Sequence, residues 1–413
     1  MAPAALVTSA GVLISLYIRD SGSVHLYPRP PQSAMRTTLF ILLGAVLSIE
    51  VSFHPKDLPE KVASCQALNR APASSRTLTS VNYVEVNPEA KRTILMVHGW
   101  PSLWHSWKYQ IEQFKNDYHI IAPNLRGFGA SSHPGDVKTS GNWPDIVGDL
   151  VCVLESAGVD NAICMGHDWG SQLCFQAARQ RPDKFTAVIG VAVPYLPFNA
   201  ATFSPTSALV PYFPHLAYQV FLGETPELAR EELDADIRRT LRATLRNTVD
   251  PPPKGYLQDT KSFLGAYEGV KEIGPIPFFS QEEEDYWVGE YSIQGFKNTL
   301  QFYTPENQKA SWEFIHAQGN YTIPQPVLMV FPEADPVADW AKVLKLLGAA
   351  EFLPNSAVQM MPGGHWLHLE HPATFNHFVR KWLDALSEKE AATTPEEPNV
   401  AKEEPHGRPG DEL

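Results

Sequence analysis

Gly166-His167-Asp168-Trp169-Gly170 follows the apolar run NAICM directly and stands just ahead of a helix signal. Small-x-nucleophile-x-small at a strand-to-helix turn is an elbow, in which flanking glycines permit a tight, strained bend that exposes the central side chain. That central residue is Asp168, not serine or cysteine. A carboxylate attacks a carbon electrophile and forms an ester, so the expected chemistry moves from acyl transfer towards alkylation of the protein. Taken alone, the pentapeptide is equally well a glycine-rich strand end with a helix-capping aspartate. Further segments weigh on that choice. His98-Gly99-Trp100-Pro101 closes an earlier strand, where main-chain N–H groups of Trp100 and Trp169 could together form an oxyanion hole. Asp335 stands in PEADP just after PVLMVF, and His365 in the glycine-flanked GGHWLH. Nucleophile, acid and histidine thus occur in a productive order, each in a suitable context. Glu333 is a second acid in the same turn, but Asp335 fits the expected position better.

These residues need elements to hold them. RTILMVHG and YHIIAPNLRGFG are short apolar runs ending at glycines, the pattern of buried parallel strands. Trp143 to Ala157 has helical spacing, with Ile146, Leu150, Val153 and Leu154 on one face. Strand NAICMG, a helix from about Ser171 and strand FTAVIGVAV follow, so the alternation predicts an α/β, doubly wound, mostly parallel sheet. After Pro194 the pattern turns helical. Thr225 and Pro226 open a helix whose stripe is Leu233, Ile237, Leu241 and Leu245, and Glu282 to Tyr303 is helix-like. Strand signals resume at PVLMVF, and a last helix covers about Pro372 to Leu386. The division read from this is an apolar N-terminal extension (1–58), a core (77–195 and 312–388), an inserted helical cap (196–311) and an acidic, disordered tail (389–413).

HGWPSLWHSWKYQI, LRGFGASS, GHDWG, PEAD and GGHW resemble the corresponding segments of soluble-type epoxide hydrolases of the α/β-hydrolase fold, over roughly Val81 to Leu386. The resemblance implies Asp168 as nucleophile, His365 as general base and Asp335 as its orienting acid. It implies that the Trp100–Pro101 peptide bond shapes the oxyanion loop. It implies conversion of an epoxide to a vicinal diol without a metal or organic cofactor. The family protonates the epoxide oxygen with two cap tyrosines, and AYQVFL makes Tyr218 the first. For the second, EEEDYWVGEYSIQGF puts Trp287 at the tyrosine position and Tyr286 one residue earlier, about 100° away on a helix. Haloalkane dehalogenation is the main alternative; it would use the same aspartate with Trp169 and Trp287 as halide donors. A non-catalytic binding protein on a hydrolase scaffold is a further alternative.

Other polar residues have plainer expected roles. His167 packs beside the elbow, His98 supports the oxyanion loop, Arg126 fixes a turn, and His368 and His371 belong to the surface or a helix start. Glu282–Asp285 reads as the solvated, dipole-favoured start of a helix. Cys65, Cys152, Cys164 and Cys174 form no CxxC pair or metal spacing, and the expectation is buried free thiols rather than disulfides.

The chain has 413 residues, 44% hydrophobic, with 46 acids against 33 bases. A net charge of −13 argues against nucleic acid as a partner, and the expected partner is a small hydrophobic epoxide. The cap and the stretch Ser387–Leu413 carry −11 of that charge, so the acidity is peripheral to the nucleophile-bearing core. Ala2–Ile18 and Leu39–Ile49 are apolar, each shorter than the roughly 20 residues that span a bilayer. They read either as a signal or anchor beginning at Met35, with membrane association, or as an amphipathic extension. A C-terminal GDEL and the sequon Asn320-Tyr321-Thr322 favour an endomembrane location over the cytosol.

Overall fold

A computed structural model describes residues 49–66 and 78–393. Almost all of the N-terminal apolar runs, and the chain after Thr393, lie outside the described residues, so the anchor and tail expectations fall there. Among the described residues no helix is long and apolar enough to cross a membrane.

The first half alternates β1 (Glu60–Gln66), β2 (Leu78–Val86), β3 (Thr93–Val97), α1 (Lys108–Phe114), β4 (His119–Pro123), α2 (Trp143–Ser156), β5 (Ala162–His167), α3 (Trp169–Gln180) and β6 (Phe185–Val191). A helical insert follows: α4 (Thr206–Leu209), α5 (Ala217–Glu224), α6 (Pro226–Asp234), α7 (Ile237–Thr244), α8 (Gln281–Gln294) and α9 (Pro305–Gln318). Then β7 (Val327–Pro332), α10 (Trp340–Leu346), β8 (Ser356–Met361), α11 (Leu367–Glu370) and α12 (Pro372–Thr393) complete it. The eight strands form one sheet in the order β1-β2-β4-β3-β5-β6-β7-β8. Pairing is antiparallel at β1–β2 and β2–β4 and parallel from β4 to β8. Every residue of β3, β4, β5 and β7 is buried, because helices cover both faces of a parallel sheet and leave no side for polar residues.

Three sequence expectations change here. Strand β1 begins at Glu60, ahead of the expected core boundary at 77; as an edge strand, EKVASCQ exposes alternate residues and carries little apolar signal. The Leu233–Leu245 stripe belongs to two helices, because the chain breaks at Ala235–Asp236 and the Asp236 side chain caps α7 through the Arg239 N–H. The cysteines are not free thiols. Cys65 on β1 is bonded to Cys152 on α2, and Cys164 on β5 to Cys174 on α3, with Cα separations of 5.8 and 5.3 Å. Each pair joins a strand to the helix packed on it, a proximity that residues 87 and 10 apart do not announce in sequence.

The acidic run that opens α8 is an anchor rather than a solvated cap. Glu283 closes a capping box with Ser280 and also accepts from the buried Lys108 at 2.6 Å, beside His105 Nε2 at 3.3 Å. Glu284, 1% exposed, binds Arg238 and Arg242 at 2.6 and 2.7 Å. Burial alone would raise the Glu283 carboxyl; the His105 and Lys108 contacts overcome it and pull it down to about 2. A carboxylate depressed on folding adds stability above its unfolded value and loses it as pH falls through the folded one. Glu283→Gln should therefore destabilise the protein by about 3 kcal/mol at pH 7, since the Lys108 ammonium is left buried without its partner. In chemical denaturation the deficit should shrink between pH 4.5 and about 2. Equal stabilities at pH 7 would show the pair to be idle.

Candidate active site

Asp168 sits between β5 and α3 with φ 56° and ψ −121°, a conformation that strains a residue bearing a Cβ. Close packing holds it there. A Cβ on Gly170 would lie 2.1 Å from the Val97 carbonyl oxygen, so only glycine lets the start of α3 press against the end of β3. That approach brings the Trp100 N–H to within 2.8 Å of Asp168 Oδ1, and the Trp169 N–H also bonds the carboxylate. The Trp100–Pro101 peptide is cis. His98 lies beneath this loop: its Nε2 accepts from the Leu125 N–H at 2.9 Å, so its Nδ1–H donates to the Gly99 carbonyl at 2.8 Å.

The other carboxylate oxygen, Oδ2, lies 3.6 Å from His365 Nε2, and His365 Nδ1 donates to Asp335 Oδ2 at 2.8 Å. The Asp335 side chain is fully buried, whereas Glu333 in the same turn is exposed. Burial raises the Asp168 carboxyl, and His365 with the two amides partly offsets it. For His365 burial acts downward, but Asp335 and Asp168 outweigh it and lift the imidazole to about 9. A carboxylate in a donor cradle, facing a histidine held by a second carboxylate, can attack carbon and then have its ester hydrolysed.

A cavity of about 230 Å³ opens onto this group. Its wall includes Trp100, Asp168, Tyr218, Phe263, Val337 and His365. Tyr218, on α5, receives a hydrogen bond from Gln219 at 3.1 Å. Its ring centroid is 5.8 Å from that of Tyr303, which also packs edge-on against Trp100 (5.3 Å) and Trp169 (5.4 Å). Both hydroxyls are raised, by burial first and also by the Asp168 charge, while their mutual contact raises Tyr303 and lowers Tyr218. The pairing depends on Gly223, where a Cβ would lie 2.0 Å from the Tyr303 carbonyl oxygen and hold α5 away.

Tyr303 was missed in the sequence, and the two residues proposed instead are elsewhere. Tyr286 accepts from Trp104 Nε1 at 2.9 Å and lies 3.4 Å from Glu60, and Trp287 Nε1 donates to His105 Nδ1 at 3.0 Å. Both belong to the seam between α8 and the Trp104–Trp107 turn, because the buried face of α8 packs on the core and not on the cavity. Trp287 is therefore not available to pair with Trp169 around a halide. The signal for Tyr303 lay in GFKNTLQFYTP, where a tyrosine two residues before an N-terminal helix proline is fixed at a chain bend. His368 does lie at a helix start, as the second residue of α11, but not at the surface. It is fully buried, its ring centroid 4.5 Å from that of His167, whose Nε2 faces the His365 carbonyl oxygen at 2.8 Å. Arg126 does fix a turn, bonding Asp149 and the carbonyls of Ser140 and Asp145. Among the described residues no cluster of three or more His, Cys, Asp or Glu could hold a metal.

Residues 92–372 match the family described as alpha/beta hydrolase fold. The chain belongs to that family. Within it, this hydrolase is 30% identical to Epoxide hydrolase A of Mycobacterium tuberculosis over 73% of its own length and 94% of the relative's. It is 26% identical to Bifunctional epoxide hydrolase 2 of Rattus norvegicus, over 91% of its own length but only 65% of that longer protein. Among solved structures, Epoxide Hydrolase A from Mycobacterium thermoresistibile superposes with a TM-score of 0.65 at 26% identity, covering 79% of this chain and 98% of that one.

Proposed function

We propose that this protein hydrolyses a hydrophobic, uncharged epoxide to a vicinal diol through an ester on Asp168. The observation that carries the reading is the pairing of the Asp168 cradle with two tyrosines. One carboxylate oxygen is bonded by the Trp100 amide, the other faces the cavity and His365, and Tyr218 and Tyr303 stand together within reach of the Asp168 charge. Oδ2 attacks an epoxide carbon. The carbon–oxygen bond of the ring breaks, and the departing oxygen takes a proton from the tyrosine pair. Water then attacks the ester carbonyl carbon while His365, oriented by Asp335, takes its proton. The oxyanion forms against the Trp100 and Trp169 amides, collapse releases the diol and restores the Asp168 carboxylate, and the proton taken by His365 returns to the tyrosinate. The hydrophobic substrate follows from a wall of Trp100, Tyr218, Tyr256, Leu257, Phe263 and prolines.

A panel of styrene oxide and longer alkyl epoxides tests this reading, with diol measured for wild type and variants. Tyr218→Phe and Tyr303→Phe should each slow single-turnover alkylation about tenfold and together about 10³-fold, whereas Tyr286→Phe and Trp287→Tyr should stay within about twofold. In oxygen-18 water, a single turnover should label the Asp168 carboxylate and leave the diol unlabelled. Label in the first-turnover diol would sink the ester mechanism.

The His365 shift adds a prediction about pH. In the resting site two carboxylates favour the imidazolium, with a midpoint of about 9. Alkylation neutralises Asp168, removes one of the two raising charges and frees the imidazole to act as base. Ester hydrolysis should rise with pH and level off with a midpoint below 9 in stopped-flow measurements. A midpoint at or above 9 would contradict this sequence of events.

A further inference from the structure

Asp335 receives two further donors besides His365. Trp340, 9% exposed and the first residue of α10, points its indole Nε1–H at Asp335 Oδ2 from 2.7 Å, the same oxygen that receives His365 Nδ1 at 2.8 Å. Asp335 Oδ1 is taken by the Val337 N–H, also at 2.8 Å. Three donors thus surround one fully buried carboxylate, and only one of them is the histidine. The indole is held firmly, since Asp339 caps α10 by accepting from the Lys342 N–H.

We propose that Trp340 is a positioning residue that sets how strongly Asp335 holds the proton on His365, and so the pH range over which His365 serves as base. The inference rests on the reading of His365 as base and Asp335 as its acid. Its physical basis is competition for lone-pair density on a single oxygen. An indole N–H on Oδ2 draws part of the carboxylate charge away from the imidazolium, and so favours release of the Nε2 proton. It also fixes the carboxylate plane, so that Oδ2 rather than Oδ1 faces His365. The groups that face His365 are Asp335, Asp168 at 3.6 Å, and the tilted ring of His167 at 4.8 Å, with His368 behind it. Burial holds His167 and His368 well below ordinary histidine values, so both stay neutral across the working range. Among these groups, Asp335 is the one Trp340 touches.

Trp340→Phe keeps an aromatic ring at the start of α10 and removes only the donor. The midpoint for ester hydrolysis should move up by about 0.5–1 pH unit, and the rate at pH 7 should fall about three- to tenfold. At pH 10 the rate should approach that of wild type, and single-turnover alkylation should stay within about twofold. A rate lowered equally at every pH would mark Trp340 as structural and overturn the proposal, as would an unchanged or lowered midpoint. Should the variant not fold, a wild-type measurement replaces it. A downfield indole N–H resonance should titrate with the His365 ring, and no such resonance would also overturn the proposal. Absence of diol from the wild type would instead defeat the epoxide reading itself, and Glu333→Gln, at an exposed side chain, should leave the profile unchanged.

Discussion

Asp168→Ala should lower epoxide turnover by about 10⁴-fold or more, because removing a covalent nucleophile removes the path and not merely one contact with the transition state. The substitution should cost little stability. It relieves a buried carboxylate whose burial already opposes its charge, at a strained backbone position that alanine can occupy no more easily than aspartate. Folding by circular dichroism with no diol formed is the expected pair of results. Residual activity within tenfold of wild type would mean that a water, not Asp168, attacks the ring. Asp168→Asn gives a second view. Its amide can still accept from the Trp100 N–H at Oδ1, so the cradle is kept while the attacking charge is lost.

His365→Gln separates the two half-reactions. Alkylation needs the Asp168 charge and the tyrosine donors, so it should proceed; ester hydrolysis needs a base at Nε2, and glutamine has none. Turnover should fall about 10⁴-fold while the protein gains the mass of one substrate molecule on the peptide containing Asp168. The adduct should persist for hours at pH 7 and be cleaved by strong nucleophiles. Loss of turnover with no adduct would place His365 in ring opening and overturn the assigned order of events.

The two tyrosine positions show where local reasoning reaches its limit. Tyr218 was identifiable because AYQVFL resembles the first tyrosine segment of the soluble-type epoxide hydrolases, and α5 carries it at the cavity wall. Tyr303 was not, because its approach depends on Gly223 of α5 letting the chain between α8 and α9 come close. A search confined to the helix signal at Glu282–Tyr303 favours residues in mid-helix. The structure puts the tyrosine that meets Tyr218 after that helix has ended at Gln294.

The sequence alone determined the elbow, the order of nucleophile, acid and histidine, and the parallel core. These rest on short-range physics. A tight turn needs its glycines within a few residues, and a strand buried on both faces must be apolar along its length, as β3, β5 and β7 are. Tertiary structure decided which second tyrosine joins Tyr218, that the four cysteines pair, and that the acidic run on α8 is an anchor. Each of those is a contact between chain segments distant in sequence or a choice between neighbours with the same chemistry. Such choices are settled by burial and by which donor arrives at hydrogen-bonding distance, and neither is written in the spacing of residue types.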